Sequence, residues 1–156
     1  MSRARRLATH IERAMDGPMW HGPALKEALE GMTHEHAAAK PVPNAHTAWE
    51  LVLHAAAWAE IARDRLKGQR TGDPSADEDW PVVTATSAAD WQQARDRLRA
   101  SHRLLAEVVR ELGDDALDAK VAGLEYSVDV LLHGVIEHSC YHGGQIMLLR
   151  KMTLGQ

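Results

Sequence analysis

Apolar residues recur at alternating steps of three and four in four stretches of the chain, and each stretch predicts an amphipathic helix. The last stretch, Ser127 to Lys151, places Val128, Leu131, Val135, His138, His142, Gln145 and Leu149 on one seam. The third places Trp91, Ala94, Leu98, Ser101, Leu105, Val108 and Leu112 together, and the second Leu51, His54, Trp58 and Ile61. Beside that second seam, Ala55, Ala56, Ala57, Ala59 and Ala62 keep one flank slim enough for a close neighbour. The first stretch runs from Arg3 to Met15 with Leu7, Ile11 and Met15 inward. Gly17-Pro18 interrupts it, and a further piece, with Pro23 at its first position, turns Leu25, Leu29 and Met32 inward.

Local signals mark where these helices begin and end. Thr47 followed by Glu50 forms a capping box, and Gly68 supplies the stop. Ser87 with Asp90 opens the third helix, Gly113 closes it, and Ser127 caps the last with Asp129 in its first turn. Lys40 to Asn44 contains two prolines and reads as an extended connector. Gln69 to Thr86 is polar, contains Trp80-Pro81, and is long for a compact domain, which makes it a crossover or a functional segment. Asp114 to Tyr126 is a connection with a short turn near Ala116 to Val121. Four principal helices with one long crossover predict an all-α four-helix bundle, with residues 1–156 as a single domain.

Composition narrows the class further. With 45% hydrophobic and 26% charged residues the chain has the make-up of a folded globular domain. A formal charge of −4 argues against nucleic acid or an acidic membrane as partner. The single cysteine, Cys140, excludes an internal disulfide framework. No signal-peptide run or membrane-length apolar stretch is present, so a cytoplasmic location is expected.

Ten histidines are many for this length, and three of them occupy seam positions. His138 and His142 are one turn apart on the last helix, and His54 lies on the second. An imidazole inside a bundle needs partners for both ring nitrogens, which neighbouring backbone or a shared metal ion can supply. The Glu-x-x-His pairs of di-iron bundles, the HExxH of zincins and zinc-ribbon cysteines are all missing. Three neutral imidazoles suit Zn²⁺ or Ni²⁺ with a position left for water or substrate. Gln145, one turn beyond His142, can orient a ligand; Glu137 and Tyr141 are further candidates for an acid, base or proton donor. Cys140 points about 200° away from the two histidines and reads as a packed thiol. Gly143 and Gly144 suggest close approach of another backbone, and Trp20 and Trp80 candidate pocket lids or dimer contacts. His10, His21, His34, His36 and His102 are expected on surfaces or loops.

The segments HTAWELVLHAAAWAEIARDRLKG and EHSCYHGGQIMLLRK resemble the DinB/YfiT-like proteins, and the resemblance covers essentially the whole chain. It implies a metal triad at His54, His138 and His142, an up-down-down-up bundle with the crossover after the second helix, and a homodimer. Some members of that family are S-transferases that use a low-molecular-weight thiol, such as bacillithiol or mycothiol. The resemblance therefore implies a metal-dependent transferase or hydrolase acting on a small molecule. A non-catalytic metal or small-molecule binding module, and a structural dimeric bundle with a vestigial site, are the alternative readings.

Overall fold

The computed structural model describes residues 1–155. Among these residues seven α-helices follow one another: α1 (Arg3–Asp16), α2 (Leu25–Ala28), α3 (His34–Ala38), α4 (Ala48–Leu66), α5 (Ala76–Asp79), α6 (Ala88–Arg110) and α7 (Val128–Leu154), with a 3₁₀ turn at Asp114–Asp118. Among the described residues there is no strand, and no helix is long and apolar enough to cross a membrane.

The long helices start where the caps predict. The Thr47 hydroxyl accepts from Glu50 N at 3.1 Å while Glu50 accepts from Thr47 N at 2.7 Å, so two donors that α4 cannot satisfy internally are both paired. Ser87 and Asp90 make the same reciprocal pair at α6, and Ser127 accepts from Val130 N at α7. The piece after the first break is shorter than expected. Ala24 is the N-cap of α2, Pro23 lies outside it, and only four residues are helical. The helix α3, absent from the sequence reading, is opened by Thr33, with the His36 ring accepting from Thr33 N at 3.2 Å.

Helices α1 and α4 each pack against both α6 and α7, while the backbones within each of those two pairs stay apart. The pairs are therefore the diagonals of a four-helix bundle. Its direction is readable from the ends. Met15 at the end of α1, Trp49 and Trp91 at the starts of α4 and α6, and Leu149 late in α7 share one apolar cluster. The opposite cluster joins the start of α1 (Ala4, Leu7), the end of α4 (Ala62), the end of α6 (Val109) and the start of α7 (Leu131). The order is up, down, down, up. Parallel α4 and α6 oblige the intervening chain to travel back along the bundle, which is why the crossover is long.

A polar layer separates the two apolar clusters. His102 is 1% exposed, contrary to the surface position expected for it. Its Nδ1 lies 2.9 Å from the Leu98 carbonyl, which can only accept, so Nδ1 carries the proton. Its Nε2 lies 3.0 Å from the Ser139 hydroxyl, a bond that joins the diagonal helices α6 and α7 through the centre of the bundle. The reason the seam reading missed it is geometric. A strict three-four repeat drifts by about 20° per heptad against a straight helix. Over the length of α6 the buried line accordingly passes through Leu98, His102, Leu105, Ala106 and Val109, in place of Val108 and Leu112.

Gly143 and Gly144 do not serve a close backbone approach either. A Cβ on Gly143 would meet only Leu25 Cδ2, at 3.8 Å, and one on Gly144 would meet nothing within 4 Å.

Ser139→Ala removes the partner of a buried imidazole nitrogen and is expected to cost about 1–3 kcal/mol in urea unfolding. Burial lowers the His102 pKa below the ordinary histidine value. On acidification the unfolded chain takes up that proton first, so His102 makes stability fall as pH drops below about 6.5. His102→Leu should make the fall between about pH 6.5 and pH 5 shallower, as read from urea midpoints across that range.

Candidate metal centre

The seam of α4 and the seam of α7 face each other across one side of the bundle, and this brings His54, His138 and His142 together. Their Nε2 atoms converge: His138 lies 2.9 Å from His54 and 3.0 Å from His142. One candidate ligand atom from each residue falls within 4.8 Å of the others. Tetrahedral ligands at Zn–N distances of 2.0–2.1 Å sit about 3.3 Å apart, so the cluster is close to the spacing a small divalent ion needs.

The outer nitrogens decide what the inner ones can do. His54 Nδ1 lies 2.6 Å from the carbonyl oxygen of Asp79, an acceptor only, so this nitrogen donates and Nε2 is left with a bare lone pair. His142 Nδ1 lies 2.6 Å from Gln145 Oε1, and the same argument bares its Nε2. His138 Nε2 can carry one hydrogen at most, which cannot fully serve both neighbours. Three ring nitrogens held this close with too few protons between them fit a shared cation. The donor set and its outer partners therefore suit the ion that the sequence reading expects.

Electrostatics point the same way. Desolvation, followed by the neighbouring His142 and His54, pushes the His138 pKa down to about 3. Desolvation also lowers His54 and His142, against opposing hydrogen bonds from Asp79 and Gln145 respectively. All three rings are thus held neutral near pH 7, the form that ligates metal.

The crossover supplies the roof. Helix α5 delivers Asp79 and Trp80 to the site, and the Asp79 carboxylate accepts from Trp58 Nε1 at 2.7 Å. The Trp80 indole stacks on His54 at 3.8 Å between centroids with an interplanar angle of 4°, and its other neighbour His46 stacks on it at 3.6 Å. Two cavities meet at this indole. One, of about 490 Å³, touches His54 and His138 and is walled by Trp58, Tyr126, Val130, Leu131 and Val135. The other, of about 360 Å³, touches His142, Gln145, His46, Tyr141 and Leu148.

The remaining candidates are placed as follows. Tyr141 is 64% exposed, with its ring 5.0 Å from that of His142. Glu137 is exposed on the outer face of α7. Cys140 is half-buried, 3.1 Å from His21 Nε2, and outside the histidine cluster. Glu50 serves the α4 cap, leaving the His54 ring to Asp79. Trp20 is 98% exposed and covers nothing. The sequence reading did not single out Asp79, whose contact is made by backbone carbonyl and so carries no residue-type signal. It also passed over Tyr126, which lies in a connector without periodicity.

A family model for the DinB superfamily matches residues 20–146. No match is found among curated proteins. Among solved structures, the chain is similar to a conserved protein from Enterococcus faecalis, with 19% identity and a TM-score of 0.78 over 100% of this chain and 99% of that one. At that identity the likeness extends to the fold.

In chelator-treated protein, nitrogen-detected NMR should find His138 neutral well below the ordinary histidine range, titrating at about 3 or only as the fold is lost. A His138 ring that is already charged at pH 6 would contradict the buried cluster described above.

Proposed function

The chain belongs to the DinB superfamily, and from that premise we propose a divalent-metal-dependent enzyme that acts on a small molecule, with thiol transfer or hydrolysis as its chemistry. His54, His138 and His142 would hold the ion, with Zn²⁺ or Ni²⁺ suited to three imidazoles. The observation that carries the reading is the convergence of three bare or shared Nε2 atoms, each beside an open cavity. A bound ion would supply Lewis acidity toward a water or a low-molecular-weight thiol.

The rest of the reading concerns what the residues themselves do. The Asp79 carbonyl and the Gln145 amide fix two ring tautomers and hold the rings in orientation. Trp80 covers one face of His54 and keeps bulk water from it. The apolar walls of the larger cavity favour a substrate with a hydrophobic body. Two cavities on either side of one indole give room for two reactants, as a transfer reaction requires.

The test is elemental analysis of purified protein, followed by assays of zinc- and nickel-loaded samples with a thiol and an electrophilic acceptor. His142→Ala is expected to lose metal and turnover together. Gln145→Ala should weaken metal affinity by about 10–100-fold in a chelator competition while leaving the three ligands in place. Turnover that survives substitution of all three histidines would remove the proposal. Tight metal binding without product across a broad panel of thiols and acceptors would favour a binding module.

A further inference from the structure

The larger cavity is also lined by Tyr126, whose hydroxyl is held by a buried arginine of α4. Arg65 continues the inward line of α4 three turns beyond His54, about 16 Å along the helix. It is 4% exposed, and its Nε is buried with no partner among the described residues. One terminal nitrogen donates to the Tyr126 hydroxyl at 2.9 Å and the other to the Gly72 carbonyl at 2.8 Å. The guanidinium also lies 5.7 Å from the centre of the Trp58 ring. Its nearest carboxylate, Asp73, stands 3.6 Å away with a side chain 87% exposed to water, so the buried charge is weakly neutralised.

A buried cation with an orphaned donor is costly to the fold, and its position explains what it can serve. Arg65 lies behind two residues of the cavity wall, Trp58 and Tyr126. Because Tyr126 accepts from Arg65, its own O–H remains available, and among the described residues no protein acceptor takes it. A phenol whose oxygen is bonded to a guanidinium is a strengthened donor. Asp79, the carboxylate of the lining, lies at the histidine end, where Trp58 and His54 engage it.

We infer that this cavity takes a small molecule with an apolar body and a carboxylate, the carboxylate received by the Tyr126 hydroxyl with the Arg65 charge behind it, and the opposite end reaching the histidines. The inference rests on reading the cavity beside the triad as the substrate's. Arg65 acts through the phenol and is a positioning residue, whereas Tyr126 touches the ligand.

The experiment compares 4-phenylbutanoate with its neutral amide, 4-phenylbutanamide, by calorimetry on the full chain. Chelator is present, so that coordination at the histidines cannot produce a preference for the acid. The carboxylate should bind about tenfold more tightly than the amide. Tyr126→Phe should weaken the acid more than the amide and so reduce that preference to within about twofold, while amide binding that stays measurable shows that the cavity is intact. In wild-type protein, the acid and not the amide should also shift the Arg65 Nε–H resonance. Equal affinities, a preference that survives Tyr126→Phe, an unmoved Arg65 resonance, or no binding of either probe at millimolar concentration would overturn the inference. Zinc titration of the same preparation without chelator reports separately on the metal reading, so the two can fail independently.

Discussion

The hydrogen bond between His54 Nδ1 and the Asp79 carbonyl, 2.6 Å long, is the constraint on which the site depends. It sets the tautomer of an imidazole that would otherwise be free to turn its proton inward. It also pins the middle of the crossover to α4, and so determines where Trp80 lies. A crossover between parallel helices must run back beside the bundle in any case. Here it does so across the gap between α4 and α7, giving the histidines a cover that neither helix provides.

Helix α7 serves two polar sites from adjacent residues. His138 and His142 face α4 and the crossover, whereas Ser139 faces the bundle centre and reaches His102 on the diagonal helix. The inner pair is closed to solvent, with the His102 ring donating to the Leu98 carbonyl and accepting from the Ser139 hydroxyl. The outer cluster borders two cavities and lacks enough protons for its nitrogens. The contrast separates a histidine that packs from one that is set up to bind: both are buried, and only the second leaves lone pairs aimed at a common point.

Much of this was legible in the chain. Capping pairs such as Thr47 with Glu50 announce helix starts because the donors they satisfy are local. The spacing of His54, His138 and His142 announces a cluster because seams of adjacent helices must meet. The same method failed at His102, where the drift of a straight helix turned a neighbouring position inward. It gave no access to Asp79, Trp80's partners or the pairing of Arg65 with Tyr126, which depend on how connectors fold back. A short helix such as α5, four residues opened by Ser75, has too few turns for any periodicity to register.

The partition between the two cavities is a single indole carried by a connector, not by the bundle. The shape of the two chambers therefore depends on the crossover as well as on α4 and α7, whereas the three imidazoles stand on the long helices alone. Substitutions along the crossover can merge, narrow or reshape the chambers without disturbing a helix–helix contact. Side-chain exchange in one surface segment can thus vary the chambers in a lineage built on this plan, because the crossover holds the nearest imidazole through backbone alone.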